Sequence, residues 1–302
     1  MQTGAVIVAA GASGSFKPML NVGSISVSQR LIATLRQAGV GRIVVVTGYL
    51  ADELERHLAG SGVVFLRNED YSTTQMFDSA RIGLEYIRGK CGRVFFLPVD
   101  VPLFTARTLE ALLESGGELA CPVCDGVRGH PILLSDRVIG RVLEDSGECG
   151  MEGALSRCGI APTLVDVADV GILRDVEEEC GELVERHNDQ FIRPVVQVSL
   201  SREKPFFDNR TALLLSLIDE THSVRLACKR MQISYSSGWN IINSIEEQLG
   251  CAIVERTQGG AQGSRSSLTA RGRILVEAYY KFEADLRRAA DRLYETHYRD
   301  IF

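Results

Sequence analysis

From Ala5 to Leu113 the chain alternates short runs rich in β-branched residues with longer amphipathic stretches. The pairs are Ala5–Ala10 then Val27–Ala38, Arg42–Val46 then Ala51–Leu58, Val63–Leu66 then Phe77–Ile87, and Val94–Pro98 then Thr105–Leu113. A short continuous apolar run reads as a strand covered on both faces; the stretch after it, apolar at three- and four-residue spacing, reads as a helix. Strands joined by helical crossovers lie parallel, so the expected fold is α/β: a doubly wound, mostly parallel, Rossmann-like sheet with helices on both faces. Ligands of such sheets bind at the carboxyl ends of the strands. That rule singles out Gly11–Lys17, Thr47-Gly48, Asn68–Gln75 and Asp100.

The pattern changes after about residue 190, where a polar stretch runs to Pro205 and helical spacing takes over from Thr211. At 302 residues the chain is long enough for two domains, expected at 1–195 and 196–302. Charge divides the same way: net −8 before residue 196 and +2 after it, with seven basic residues against three acidic within Ser223–Arg273. Any nucleic-acid contact is therefore expected in that basic segment. No apolar stretch approaches the roughly 20 residues of a membrane span, and the N-terminus enters the Ala5–Ala10 run without a basic leader. The eight cysteines are scattered through apolar segments, as reduced thiols of a cytoplasmic protein would be. Cys121 and Cys124 form a lone C-x-x-C on a strand-like run, without the second pair a structural metal site needs.

The first strand ends in Ala9-Ala10-Gly11-Ala12-Ser13-Gly14-Ser15 and soon reaches Lys17. Backbone amides, hydroxyls and one ammonium at a strand-to-helix turn can cradle phosphate, although any tight β-α turn also favours glycine. The spacing fits neither a P-loop nor a dinucleotide fingerprint. A second feature is Phe95-Phe96-Leu97-Pro98-Val99-Asp100-Val101-Pro102, an apolar strand that delivers a carboxylate between two prolines. A carboxylate there is costly without a cation, so Asp100 reads as a Mg²⁺ ligand. The other reading, a cap for the helix after it, is better filled by Thr105.

These two features, in this order and spacing, resemble the MobA-like NTP transferase family, which includes the molybdenum cofactor cytidylyl- and guanylyltransferases. Asn68-x-x-Tyr71 followed by Gln75 to Gly83 resembles the family segment lining the nucleotide site, and Arg128-Gly129-His130-Pro131 matches a motif of its cytidylyl branch. Asp175-Val176-Glu177 resembles the late acidic turn that supplies a second metal carboxylate. The resemblance covers residues 4–188. It implies a Mg²⁺-dependent transfer of CMP or GMP from CTP or GTP to molybdopterin. Lys17, Asp100 and His130 would be catalytic, Ala10, Gly11, Ser13, Lys17, Asn68 and Gln75 nucleotide-binding, and Asp100 and Asp175 metal-binding. His130 would orient the acceptor or hold a loop. One departure stands out: the family loop runs about nine positions from glycine to lysine and includes an arginine, whereas Gly11 to Lys17 spans six and has none. That leaves a second reading, a regulator whose transferase-like domain senses a nucleotide or pterin. A transferase making a nucleotide sugar suits Arg128–Pro131 and the C-terminal module less well.

In the basic segment, Val224, Ala227, Cys228 and Met231 make a short amphipathic helix, a turn follows at Gln232-Ile233, and Ser234 caps a second helix. On that helix Ile242, Ile245 and Leu249 face inward while Ser236, Asn240 and Asn243 line the other side, where they can reach base edges or simply meet solvent. A strand-like Ala252–Arg256, a glycine-rich loop and a returning Ser267-Leu268 read as a wing. Ser234-Tyr235, Trp239, Gly259-Gly260 and Leu268-Thr269 resemble the winged helix-turn-helix of molybdate-responsive and LysR-type regulators. That likeness implies duplex DNA as partner and Arg265, Arg271 and Arg273 as phosphate contacts. Beyond it, Leu275, Tyr279, Phe282, Leu286, Ala289 and Leu293 recur at alternating three and four spacing along a long final helix. The stripe reads as a homodimer seam or as a face packed on its own domain.

Overall fold

The computed structural model describes residues 2–11, 17–175, 194–257 and 265–298. The chain divides into two compact units, one comprising Met1–Leu58 and Val63–Arg193, the other Pro194–Ile301. No helix among the described residues is long and apolar enough to cross a membrane.

The first unit is built on one sheet. Its elements in chain order are β1 (Thr3–Ala9), a small ribbon of β2 (Asn21–Val22) and β3 (Ile25–Ser26), α1 (Val27–Gln37), β4 (Arg42–Thr47) and α2 (Ala51–His57). Then come β5 (Val64–Arg67), α3 (Met76–Ile87), β6 (Arg93–Pro98), α4 (Ala106–Glu114), β7 (Leu119–Cys124) and β8 (Val127–Arg128). β9 (Ile132–Ser135), α5 (Asp136–Glu144), α6 (Gly150–Arg157) and β10 (Thr163–Asp166) complete it. The strand order is β10-β7-β9-β6-β1-β4-β5, with β8 on β7. β6, β1, β4 and β5 are mutually parallel, and β9 runs against both of its neighbours. The expected mostly parallel, doubly wound sheet is thus found, with a reversal at β9 that the periodicity of the first half did not reach.

β1 lies at the centre because both its faces are apolar, and Gly4 through Ala9 are all buried. Helix α3 can cross it closely only through Gly83: a Cβ there would fall 2.4 Å from Cγ1 of Val6 and 3.0 Å from Cγ2 of Val46. Ser26 starts α1 with a reciprocal cap, its hydroxyl accepting the Gln29 N–H while the Gln29 side chain accepts the Ser26 N–H. Thr105 does sit at the N-cap of α4, but its hydroxyl makes no cap bond; it donates instead to Asp169. Cys121 and Cys124 are buried free thiols on β7.

The second unit begins with a hairpin, β11 (Ser199–Ser201) and β12 (Pro205–Asp208), which the polar composition of that stretch did not announce. α7 (Asn209–Thr221), α8 (Val224–Arg230) and α9 (Tyr235–Leu249) follow, then the antiparallel wing strands β13 (Val254–Thr257) and β14 (Arg265–Leu268), and α10 (Ala270–Tyr298). Hydroxyls of Ser223 and Ser234 cap α8 and α9. Gly259-Gly260 lie outside the described residues. On α10 the apolar stripe divides. Tyr279 belongs to the unit's own core, donating its hydroxyl to the Val198 carbonyl at 2.9 Å and packing edge-on against Phe207. Phe282 and Leu293, by contrast, are 48% and 58% exposed.

Candidate functional site

Register places the ends of three strands side by side. Ala9 pairs with Thr47 and Val8 with Pro98, so Ala10-Gly11, Gly48 and Val99-Asp100 emerge together at the carboxyl edge. The Ala10 carbonyl accepts the Tyr49 N–H, and Gly48 is so close that a Cβ would lie 2.6 Å from that carbonyl oxygen. Gly11 is exposed, with open space beside its Cα. Ser13 lies outside the described residues. Lys17 brings its Nζ 4.0 Å from Oδ2 of Asp100, both side chains being about one-third exposed. The two groups singled out from separate segments are therefore neighbours at one edge.

His130 joins them. Its N–H donates to the Ile172 carbonyl, its ring meets Phe96 edge-on, and its buried Nδ1 has no partner among the described residues. Burial pushes the imidazole pKa down, and the Asp100 carboxylate works against that shift. At neutral pH His130 is an uncharged donor and acceptor facing a carboxylate. Gly129 is required beside it, since a Cβ would lie 2.4 Å from the Ile172 carbonyl oxygen.

A carboxylate that the sequence reading passed over organises this edge. Asp169 accepts the Thr105 N–H (2.8 Å), the Thr105 hydroxyl (3.1 Å), the Thr108 hydroxyl (2.5 Å) and the Gly171 N–H (3.0 Å). It ties the Val170–Leu173 turn to the start of α4. Gly171 presses on the loop after Asp100: a Cβ would fall 1.9 Å from the Leu103 carbonyl oxygen. Asp169-Val170-Gly171 is an Asx-turn signature, the one signal that could have flagged it. Asp175, two residues past this turn, is exposed, and Glu177 lies outside the described residues. Among the described residues no three His, Cys, Asp or Glu side chains cluster as a ready metal cage. A Mg²⁺ site needs none, because this ion keeps several waters and takes one or two carboxylates plus substrate phosphates. Asp100, about one-third exposed at the strand edge, is a hard oxygen donor of that kind.

Asn68 is 4% exposed, and its side chain is spent locally. Its Nδ2 donates to Thr74 and Ser79 and its Oδ1 accepts the Asp70 N–H, so it shapes the turn before α3 and offers a nucleotide no side-chain donor. Gln75 is exposed at the N-cap of α3, its N–H donating to Asp78. Between the ends of β4 and β5 lies a cleft of about 220 Å³ whose walls include Gly48, Leu50, Asn68 and Tyr71. Arg67 borders it but is already committed to Glu55 and Asp52, while the buried Glu55 also accepts the Thr47 hydroxyl.

On the second unit Ser236, Asn240 and Asn243 are exposed on α9, and Arg265 and Arg271 are exposed on β14 and α10. Arg273 departs from expectation. It forms a two-pronged pair with Asp219 at 3.0 Å, and Asp219 also accepts the Leu268 N–H. Burial opposes ionisation of Asp219, but Arg273 and that N–H outweigh it and hold the carboxyl below its ordinary range. Arg273 thus fastens α10 to α7.

Residues 5–161, just over half of the chain, match the MobA-like NTP transferase domain. The chain belongs to this family. Residues 212–273 match the bacterial regulatory helix-turn-helix proteins of the lysR family. Among curated relatives, the bifunctional protein GlmU of Geobacter metallireducens is 36% identical over 88 residues, 28% of this chain and 18% of that protein. The molybdenum transport protein ModE of Azotobacter vinelandii is 34% identical over 82 residues, 27% of this chain and 30% of that protein. The chain thus spans under a third of either relative. A solved nucleotidyl transferase from Methanothermobacter shares the fold of the first unit, with a TM-score of 0.52 at 19% identity over 63% of this chain and 97% of the other. The Rv0371c protein of Mycobacterium tuberculosis does likewise, at 0.51 and 21% over 61% and 99%.

Proposed function

We propose that the first unit is a nucleotidyltransferase moving CMP or GMP from CTP or GTP to molybdopterin, and that the second binds duplex DNA, in a cytoplasmic homodimer divided near residue 195. The observation that carries the transferase reading is the meeting of Lys17, Asp100 and His130 at the edge where β1 and β6 end. In such a transfer a terminal phosphate of the acceptor attacks the α-phosphorus and pyrophosphate leaves, so catalysis is mainly positioning and charge neutralisation. Lys17 neutralises phosphate oxygens above the Gly11 turn. Mg²⁺, when bound by Asp100 and Asp175, supplies the remaining positive charge. His130, kept neutral by its burial, orients the acceptor or holds its loop. The molybdenum assignment rests on the co-occurrence of this family with ModE-type relatives in one chain.

Pyrophosphate release from CTP or GTP with Mg²⁺ and molybdopterin tests the reading; no release with either nucleotide would sink it. The arginine-free Gly11–Lys17 loop favours one other reading, a regulator whose first unit senses a nucleotide or pterin. That alternative expects nucleotide binding without turnover and a change in DNA affinity on binding. The exposed Phe282 and Leu293 support the homodimer, and sedimentation that finds only monomer at micromolar concentration would remove it.

A further inference from the structure

The helix-turn-helix carries an aromatic and cationic ladder that the polar-face reading of α9 does not use. Tyr235 and Trp239 stand at i and i+4 on α9, one position behind the Ser236, Asn240 and Asn243 row, and so form an adjoining ridge. Their rings meet edge to face, with centroids 6.2 Å apart at 80°. Each ring carries a guanidinium from another element. Arg225, on α8, has its Cζ 5.4 Å from the Tyr235 centroid, and Arg256, on wing strand β13, has its Cζ 3.6 Å from the Trp239 centroid. The second distance puts the guanidinium carbon in van der Waals contact with the ring face. The Trp239 Nε1–H is buried and has no acceptor among the described residues.

Both arginines are exposed. Arg273 is exposed too, but its Nε and Nη2 donate to Asp219. A guanidinium held over a ring face is partly preorganised and loses less freedom when its N–H donors bind. With one such group contributed by the first helix and one by the wing, the recognition helix is flanked by prepositioned cations. The surrounding segment has seven basic residues to three acidic, which suits a polyanion.

We propose that Tyr235 and Trp239 are positioning residues that hold Arg225 and Arg256 as a pair of phosphate clamps on duplex DNA. The inference rests on the DNA-binding reading above and adds residues to it. Phosphate contact is sequence-independent, so no operator is needed for the test. The full chain is titrated with a short labelled mixed-sequence duplex by fluorescence anisotropy across about 50 to 200 mM salt. Arg225→Ala and Arg256→Ala are each expected to reduce the slope of log K against log salt by about 0.9, the value for one phosphate. Trp239→Leu is expected to weaken binding about two- to five-fold, from a cation–π contribution of about 0.5–1 kcal/mol at an exposed site, and Trp239→Phe to recover most of it. In an Arg256→Ala background, Trp239→Leu is expected to cost almost nothing more, because its partner is gone.

If the wild-type chain binds no duplex at low salt, the DNA-binding reading fails and takes the clamp with it. If it binds but both arginine variants keep the full slope, the clamp alone is refuted. Equal losses from Trp239→Leu and Trp239→Phe, or full additivity with Arg256→Ala, would make the indole a structural support and overturn its positioning role. Thermal unfolding is followed for every variant; should Trp239→Leu unfold, the exposed arginine variants and Trp239→Phe decide the matter.

Discussion

Asp100→Ala separates the transferase reading from a structural one because the two predict losses of very different size. The Asp100 side chain is 34% exposed, and its nearest cation, Lys17 Nζ, is 4.0 Å away. A partly exposed pair at that distance is screened by solvent and contributes about 0–1 kcal/mol to stability. Little packing is lost either, since the group is not enclosed. A group placed to neutralise charge in the transition state is worth more: removing one such element costs about 10²–10³ in rate, or about 2.7–4 kcal/mol. The expected result is near-wild-type urea unfolding, unchanged DNA binding and pyrophosphate release reduced at least a hundred-fold, by that same estimate of about 10²–10³. Asp100→Asn keeps the shape without the charge and should likewise lose most of the rate. A third readout is independent of turnover. The Asp100 carboxylate opposes the burial-driven fall of the His130 pKa, so Asp100→Ala should move the His130 NMR titration further down. Full activity in Asp100→Ala, or a stability loss above about 2 kcal/mol, well beyond an exposed pair, would refute the reasoning.

The buried imidazole of His130 is held below its ordinary pKa, so the unfolded chain takes up this proton first as pH falls. Its contribution to stability is intact above about pH 6.5, the unfolded value, and declines below that until the folded value is passed. His130→Gln should flatten chemical unfolding midpoints between about pH 7 and 5; an unchanged pH profile would mean that the ring is not buried neutral. Gly83→Ala gains about 1 kcal/mol of helix propensity but forces a Cβ to 2.4 Å from Val6, a fully buried residue of the central strand. Overpacking costs about 1–3 kcal/mol, so the melting temperature should fall, and a rise would show that α3 can lift off β1. Arg273→Ala should leave the salt slope of DNA binding nearly unchanged while lowering thermal stability, whereas Arg271→Ala should lower the slope by about 0.9. Equal slopes lost by both would return Arg273 to the phosphate contacts.

The central sheet was legible because a strand covered on both faces is apolar along its interior, as are Ala5–Ala9 of β1, Ile43–Val46 of β4, Val64–Leu66 of β5 and Val94–Leu97 of β6. The helix-turn-helix was legible for another reason: Ser223 and Ser234 carry their capping role in their identity and position. Of the site, Asp100 stood out because it follows an apolar run at the binding edge, and Lys17 because it follows a Gly/Ser-rich turn after one. The stripe on α10 left a seam and an own-domain face both open, because a three-and-four apolar stripe looks the same whether its cover comes from the same unit or from a second copy; Tyr279 takes the own-domain reading. The ridge of Tyr235 and Trp239 escaped because its partners, Arg225 and Arg256, lie 10 and 17 residues away in sequence, beyond any helical period.

Asp169, Glu55 and Asp219 escaped for a shared physical reason. Each is a carboxylate whose oxygens are taken up by backbone N–H, hydroxyl or guanidinium groups from a distant segment. In a sequence such a residue cannot be told from a solvated surface charge, because what distinguishes it is the donor it meets after folding. Two consequences follow for the candidate sites. The first is that a cation in the sequence need not be an uncommitted one: Arg67 and Arg273 look available in the sequence but are engaged by carboxylates in the fold. The second is that the placement of the Asp100 loop depends on a residue that need not touch substrate. Asp169 holds Thr105 and Thr108, and through Gly171 it sets the surface against which Leu103 rests. The loop after Asp100 is therefore braced by an acidic side chain nearly seventy residues away in sequence.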